Sequence, residues 1–140
     1  MAVTAKLYGK FLENLAKKQI DLVNDTIKVM LCASAYIPDQ DAHGSKTDVT
    51  NEITGTGYTA GGATLANKTV TYTGATNVLK FDADDVSWTD STLTFRTAVI
   101  YDATNNALIG YVDYGADKSS EAGTVTIPWD AAGILTLTAA

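Results

Sequence analysis

The stretch "TLTFRTAVIYDATNNALIGYVDY", residues 92–114, decides how the rest of the chain is read. Its two ends, 92–101 and 107–114, are rich in β-branched and aromatic residues, which fit a pleated, half-buried surface. Between them, "DATNNA" supplies Asp and Asn side chains that bond their own backbone, as hairpin turns require. The segment therefore predicts two antiparallel strands joined by a tight turn.

Working outward, the same pattern recurs at short intervals. Strands are expected at about 64–73 ("TLANKTVTYT"), 77–81 ("NVLKF"), 123–129 ("GTVTIPW") and 134–138 ("ILTLT"). Alternation is clearest in Leu93, Phe95 and Val99, and again in Val125, Ile127 and Trp129, with threonines on the opposite face. Thr-rich outer faces suit an antiparallel sheet with one side in water. From Thr26 the pattern also has period two, with Ile27, Val29, Leu31 and Ala33 on one face. This set predicts a mainly β fold: a single antiparallel β-sandwich or open, barrel-like domain.

The N-terminal region differs. Between Thr4 and Ile20, the apolar residues Leu7, Tyr8, Phe11, Leu12 and Leu15 recur at steps of three and four, with Lys6, Lys10, Glu13 and Lys17 elsewhere on the wheel. One amphipathic helix is expected there, with Thr4 as its N-cap and Gly9 weakening it by about 1 kcal/mol relative to Ala. Residues 1–25 then form a helix and its connection, and 26–140 a β-rich body. A polar, Gly- and Asp-containing connection of 27 residues, 36–62, runs up to the strand region; so long a loop in a compact domain is often functional or flexible.

Composition narrows the classes of function. The 140 residues are 46% hydrophobic and 19% charged, enough for one domain with a real core. No apolar run approaches the ~20 residues that span a bilayer, and the first 18 residues lack the uninterrupted apolar core of an export signal. A soluble protein that makes no membrane contact is expected. Cys32, the only cysteine, sits in the apolar run "IKVMLCAS" and reads as a small buried hydrophobe. Residues 1–35 carry five lysines against three acids, whereas the remainder carries five basic against thirteen acidic side chains, for a net charge of −6. An acidic body repels a phosphate backbone, so nucleic-acid binding through a broad basic face is not expected.

No catalytic or cofactor-binding set emerges. The glycine-rich "GTGYTAGGATLAN", residues 55–67, misses GxGxxG by one residue and leads into a strand rather than a helix N-terminus, so its glycines are read as shaping a corner. His43, the only histidine, lies in the turn-like "DAHGSK" with no Gly-x-Ser-x-Gly nucleophile to serve. One Cys and one His cannot complete a structural zinc site. In "FDADDVSWTD", Asp82, Asp84, Asp85 and Asp90 fall within nine residues, but Ser87 and Leu93 occupy the positions where an EF-hand needs Gly and Glu. The run reads as a solvated acidic turn before a strand, with a looser calcium site as the alternative. Carboxylate pairs for glycoside hydrolysis can come from distant strands, and nothing in the sequence singles one out. Catalytic, cofactor-binding and metal residues are accordingly none, and a non-enzymatic protein is expected.

The ordered set "LYGKFLENLAKKQIDLVNDTIKVML", "GTGYTAGGATL", "FDADDVSWTDSTLTFRTAVIYD", "LIGYVDYG" and "GTVTIPWDAAGILTLT" covers most of the chain. Together these stretches resemble a family of small virion structural proteins of tailed bacteriophages. The resemblance implies a capsid decoration or cement protein on the outer shell, made and assembled in the bacterial host cytoplasm. Its partners would be the major capsid protein and copies of itself, a homo-oligomer with a trimer as the expected form. The N-terminal helix or the 36–63 loop would contact neighbouring subunits, with Tyr58 as an anchor between them. A head–tail or tail component, or a receptor- or carbohydrate-binding module of a phage appendage, are the alternatives.

Overall fold

A computed structural model describes residues 3–139. The hairpin that opens the sequence argument is the centre of the fold: β7 (Thr94–Asp102) pairs antiparallel with β8 (Ala107–Ser119). Asp102 shapes the turn, its Oδ1 accepting the N–H groups of Thr104 and Asn105 at 2.9 and 3.1 Å, and Asn106 takes the left-handed conformation at φ 56°. β2 (Ile27–Cys32) pairs with the other side of β7, β1 (Thr4–Leu7) with the other side of β8, and the two-residue β3 (Ala63–Thr64) ends the sheet. Its order is β1-β8-β7-β2-β3, open at both ends.

Two smaller antiparallel units complete the β structure. β4 (Thr69–Thr73), β5 (Val78–Asp82) and β10 (Leu135–Thr138) form a three-stranded sheet in the order β10-β5-β4, and β6 (Val86–Ser91) pairs with β9 (Gly123–Ile127). Their apolar faces close on the five-stranded sheet: Phe81 and Leu135 from the first and Trp88, Val125 and Ile127 from the second meet Val29, Leu31, Phe95, Ala98 and Ile109 in one core cluster. A mainly β, antiparallel, unclosed architecture with one helix is what the sequence pattern predicted.

The centre of the large sheet is buried on both faces, unlike the half-exposed sheet expected. β2 shows why: Ile27, Val29 and Leu31 enter the main cluster, while Met30 and Cys32 point the other way into a second cluster with Tyr8, Tyr36, Val99, Tyr101, Leu108 and Tyr111. The long connection covers that second face. Tyr36 is buried there, and the 3-10 turn Lys46–Asp48 closes with a capping box in which Ser45 and Asp48 bond each other's backbone. The connection is thus a built wall, bridged to the sheets at Cys32–Glu52, Ser45–Ala107 and Thr56–Thr92.

Four expectations are corrected. The helix does not run from Thr4 to Ile20: Thr4–Leu7 is an edge strand on β8, and α1 covers only Gly9–Ala16. The free edge of β8 takes the first residues into a ladder, so Tyr8 and not Thr4 is the N-cap, without a side-chain cap bond. Tyr8 and Phe11 are fully buried while Leu12 stays 48% exposed, so the apolar stripe is narrower than its spacing implied. Beyond Lys17, Lys18 turns left-handed at φ 63° and ends the helix. Second, Leu93, Phe95 and Val99 do not share a face. The pairing with β8 is irregular between Phe95 and Thr97, where two steps along β7 face five along β8, and across this break the buried face changes: Phe95 lies with Ala98 and Ile100 in the main cluster and Val99 on the opposite side. Third, the acidic run is not a turn alone, because Val86–Ser91 is strand β6, with Val86 and Trp88 buried. The strand expected at 64–73 is also split, at left-handed Asn67, into β3 and β4.

Candidate functional site

An apolar groove of about 480 Å³ lies between β1 and the segment that leads into β10. Its volume falls in the range of small-ligand and peptide sites. Leu7 and Ile109 form one side, Trp129, Ile134 and Leu135 the other, and Lys6 and Asp130 are the charged residues that line it. Both walls are sheet edges: among the described residues β1 pairs only with β8, and β10 only with β5. Each edge carries main-chain N–H and C=O groups without a strand partner on its outer side. Such edges beside apolar side chains suit an extended segment that adds a strand and seats alternate side chains.

The acidic run positions one wall. Asp85 Oδ1 accepts the Trp129 N–H at 2.8 Å, the Trp129 indole Nε1–H donates to the Asp84 carbonyl at 3.0 Å, and Asp84 Oδ2 accepts from Asn67 Nδ2 at 2.5 Å. The Asp85 carboxylate and the Asp84 carbonyl thus hold Trp129 in the loop 128–134, while the Asp84 carboxylate holds Asn67. No three His, Cys, Asp or Glu side chains among the described residues are grouped to hold a metal ion.

The other residues weighed from sequence are drawn into internal bonds. Cys32 is fully buried, and burial followed by the charge of Glu52 pushes its thiol up to about 12, so it is not poised as a nucleophile. His43 Nδ1 accepts the Asp39 N–H at 3.2 Å and lies 3.0 Å from the Tyr36 hydroxyl, which in turn bonds Tyr8 at 2.8 Å. Burial raises the Tyr36 hydroxyl to about 12. Tyr58 is committed within its own chain. Its hydroxyl donates to Glu52 Oε2 at 2.6 Å and accepts the Leu31 N–H at 3.1 Å, and its ring lies 6.1 Å from that of Trp88.

The glycine-rich loop is likewise structural. At Gly62, φ is +86° and a Cβ would stand 1.9 Å from the Val29 carbonyl oxygen, while at Gly57, φ is +84° and a Cβ would meet Ser91 at 2.9 Å. Only glycine lets the loop lie this close to β2 and β6. Glu52 then holds the loop by accepting the Gly61 N–H at 2.6 Å.

Two features escaped the sequence reading. The groove depends on β1 being a strand, which the helical spacing of Leu7, Tyr8 and Phe11 concealed. The other is a carboxyl pair, Asp25 and Asp102. Asp102 is fully buried, its Oδ2 meets no N–H donor, and the side chain facing it is Asp25. Burial, then the bond to Asp25, raises Asp102 to about 6, whereas the bond from Asp102 holds Asp25 below the usual carboxylate range. The pair sits where the residues before β2 meet the β7–β8 turn. Asp102 opening "DATNNA" was the available signal, read only as a turn former.

No protein-family model matches the chain, nor does any curated protein or any solved structure compared with it. No helix among the described residues is long and apolar enough to cross a membrane.

Proposed function

We propose that this chain is a non-enzymatic structural protein of a tailed-bacteriophage virion, and specifically a decoration or cement protein that binds the outer capsid shell. The observation that carries the reading is the groove, with an apolar floor set between two unpaired strand edges. An extended arm of the major capsid protein would add to β1 or β10 and seat alternate apolar side chains against Leu7, Trp129 and Ile134. Further support comes from the residues that chemistry would need. Cys32, His43, Tyr58 and the Asp84–Asp85 pair are all engaged in packing or in bonds that hold the fold. The sequence resemblance supplies the virion context.

The test is co-sedimentation of the purified chain with shells of the major capsid protein, together with its copy number in purified particles by quantitative mass spectrometry. Saturable binding near one chain per shell subunit, lost in Ala5→Glu, is the expected result; Ala5 is exposed and lines the groove. A few copies per particle would move the protein to the neck or tail, and absence from particles would overturn the proposal.

A further inference from the structure

β4, "TVTYT", is the outer strand of the three-stranded sheet, and all five of its residues are exposed. It lacks the features that ordinarily protect an edge: it contains no Lys, no Pro and no bulge. Its inner side is apolar. Val70 is paired with Phe81 and Tyr72 with Leu79, and Phe81 continues across to Leu135, so Val70 and Tyr72 lie on the face that packs on the core but overhang beyond it, 37% and 57% exposed.

The polarity of the strand is symmetric about Thr71. Laid antiparallel on a second copy with Thr71 opposite Thr71, Val70 falls against the other copy's Tyr72, Thr69 against Thr73, and both apolar pairs emerge on the same face. A two-fold axis through Thr71 therefore satisfies the main-chain groups and side chains of both edges at once, as an isologous interface requires. Charge favours the same partner. The chain carries −6 overall, yet residues 69–79 contain no charged side chain, so copies that repel elsewhere meet here without like charges. The nearest charge on the strand's outer face is Lys80, paired with Thr71 on β5; across the axis the two Lys80 residues would stand three strand spacings apart, about 14 Å, beyond the screening length of about 8–10 Å.

We infer that the β4 edge is a self-association surface, through which two copies of this chain join their three-stranded sheets into one six-stranded sheet about a two-fold axis at Thr71. The occupant is a second copy because the complementarity is the strand's own. The inference stands on this edge and not on the shell-binding reading, and it gives a two-fold contact in place of the trimer expected from the resemblance. Five residues a side is small beside the roughly 20–30 of a standard interface, so the contact is weak between free chains and gains strength where copies are held at about millimolar local concentration.

The experiment uses the full chain with single cysteines on the exposed strand; the native Cys32 is fully buried and does not compete. Under mild oxidation, Thr71→Cys is expected to cross-link to a dimer. Thr69→Cys alone stays monomeric, because the two copies of residue 69 would lie about 14 Å apart, whereas a mixture of Thr69→Cys and Thr73→Cys cross-links between the two variants. In parallel, sedimentation across a concentration series should show weak self-association of the wild type that Thr71→Lys, with unchanged melting temperature, weakens about tenfold by placing like charges on the axis. A wild type monomeric up to about 1 mM, equal cross-linking of Thr69→Cys and Thr71→Cys, or association untouched by Thr71→Lys would each overturn the inference, whatever the outcome of the shell-binding test.

Discussion

Asp102→Asn should make this protein more stable at neutral pH and remove most of the pH dependence of its stability between about pH 4.5 and 7.5. Asp102 Oδ1 accepts two backbone N–H bonds in the β7–β8 turn, and its Oδ2 faces Asp25, whose own Oδ2 already accepts from the Asp21 N–H at 3.0 Å and Asn105 Nδ2 at 3.2 Å. Only a proton on Asp102 lets these two acids lie together. With Asp102 raised from 3.8 to about 6, the folded chain holds a proton that the unfolded chain has released, throughout the interval between those values. The stabilisation is complete below the unfolded pKa and is lost as pH rises through about 6. A shift of about two units is worth about 3 kcal/mol in full, of which about 2 kcal/mol separates pH 4.5 from pH 7.5. For a chain of this length that is a fall of about 6 °C in melting temperature. Carboxylates lowered chiefly by backbone N–H bonds, Asp39 from Ala42 and Asp48 from Gly44, act in the opposite sense, but their stabilisation is lost only as pH falls below about 4. In Asp102→Asn the amide oxygen keeps both turn bonds and the NH₂ donates permanently toward Asp25. Calorimetric melting of both proteins across this range tests the argument. A variant that keeps the wild-type slope, or that melts below the wild type at pH 7.5, would refute it.

Gly62→Ala would drive a methyl group into the Val29 carbonyl at positive φ and should cost about 3 kcal/mol or more, measured by urea unfolding. Tyr58→Phe keeps the ring beside Trp88 but removes the acceptor of the Leu31 N–H and one of the two bonds to Glu52 Oε2, for a loss of about 1–3 kcal/mol in the same assay. Because Asp84 and Asp85 bond Asn67 and Trp129, millimolar calcium or EDTA should move the melting temperature by less than about 1 °C in a thermal scan.

Much of the fold was legible because strands with one polar face announce themselves. β9 is the plainest case: Val125 and Ile127 enter the core while Thr124 and Thr126 face out, and Thr126 bonds Ser87 across the ribbon at 2.9 Å. The failures each have a local cause. Leu7, Tyr8 and Phe11 satisfy helical spacing whether or not residue 7 is helical, and the free edge of β8, which no local pattern reveals, decided the matter. In β7 the alternation was real on both sides of the register break between Phe95 and Thr97, but the buried face changes there, from Phe95 to Ala98 and Ile100. In β6 the alternating Val86 and Trp88 were present, and the neighbouring aspartates drew the reading toward a loop.

The candidate surfaces were less legible than the core, for a reason that follows from what an edge is. Burial leaves a trace in composition, since most core positions are apolar. Whether a strand is an edge depends on which other strands find it, and that is a property of topology alone. "TVTYT" in β4 and "TAKL" in β1 carry no mark that distinguishes them from strands paired on both sides. What sequence can still show, once topology has exposed an edge, is whom the edge fits. Around Thr71 the order of apolar and hydroxyl residues is the same read in either direction, so the strand complements itself. Around β1 it is not, and the adjoining groove, with Lys6 on one wall and Asp130 on the other, presents different chemistry to the two ends of any segment laid along it. A symmetric edge calls for an identical partner and an asymmetric groove for a different one, so the two proposals, self-association and foreign binding, rest on opposite kinds of contact.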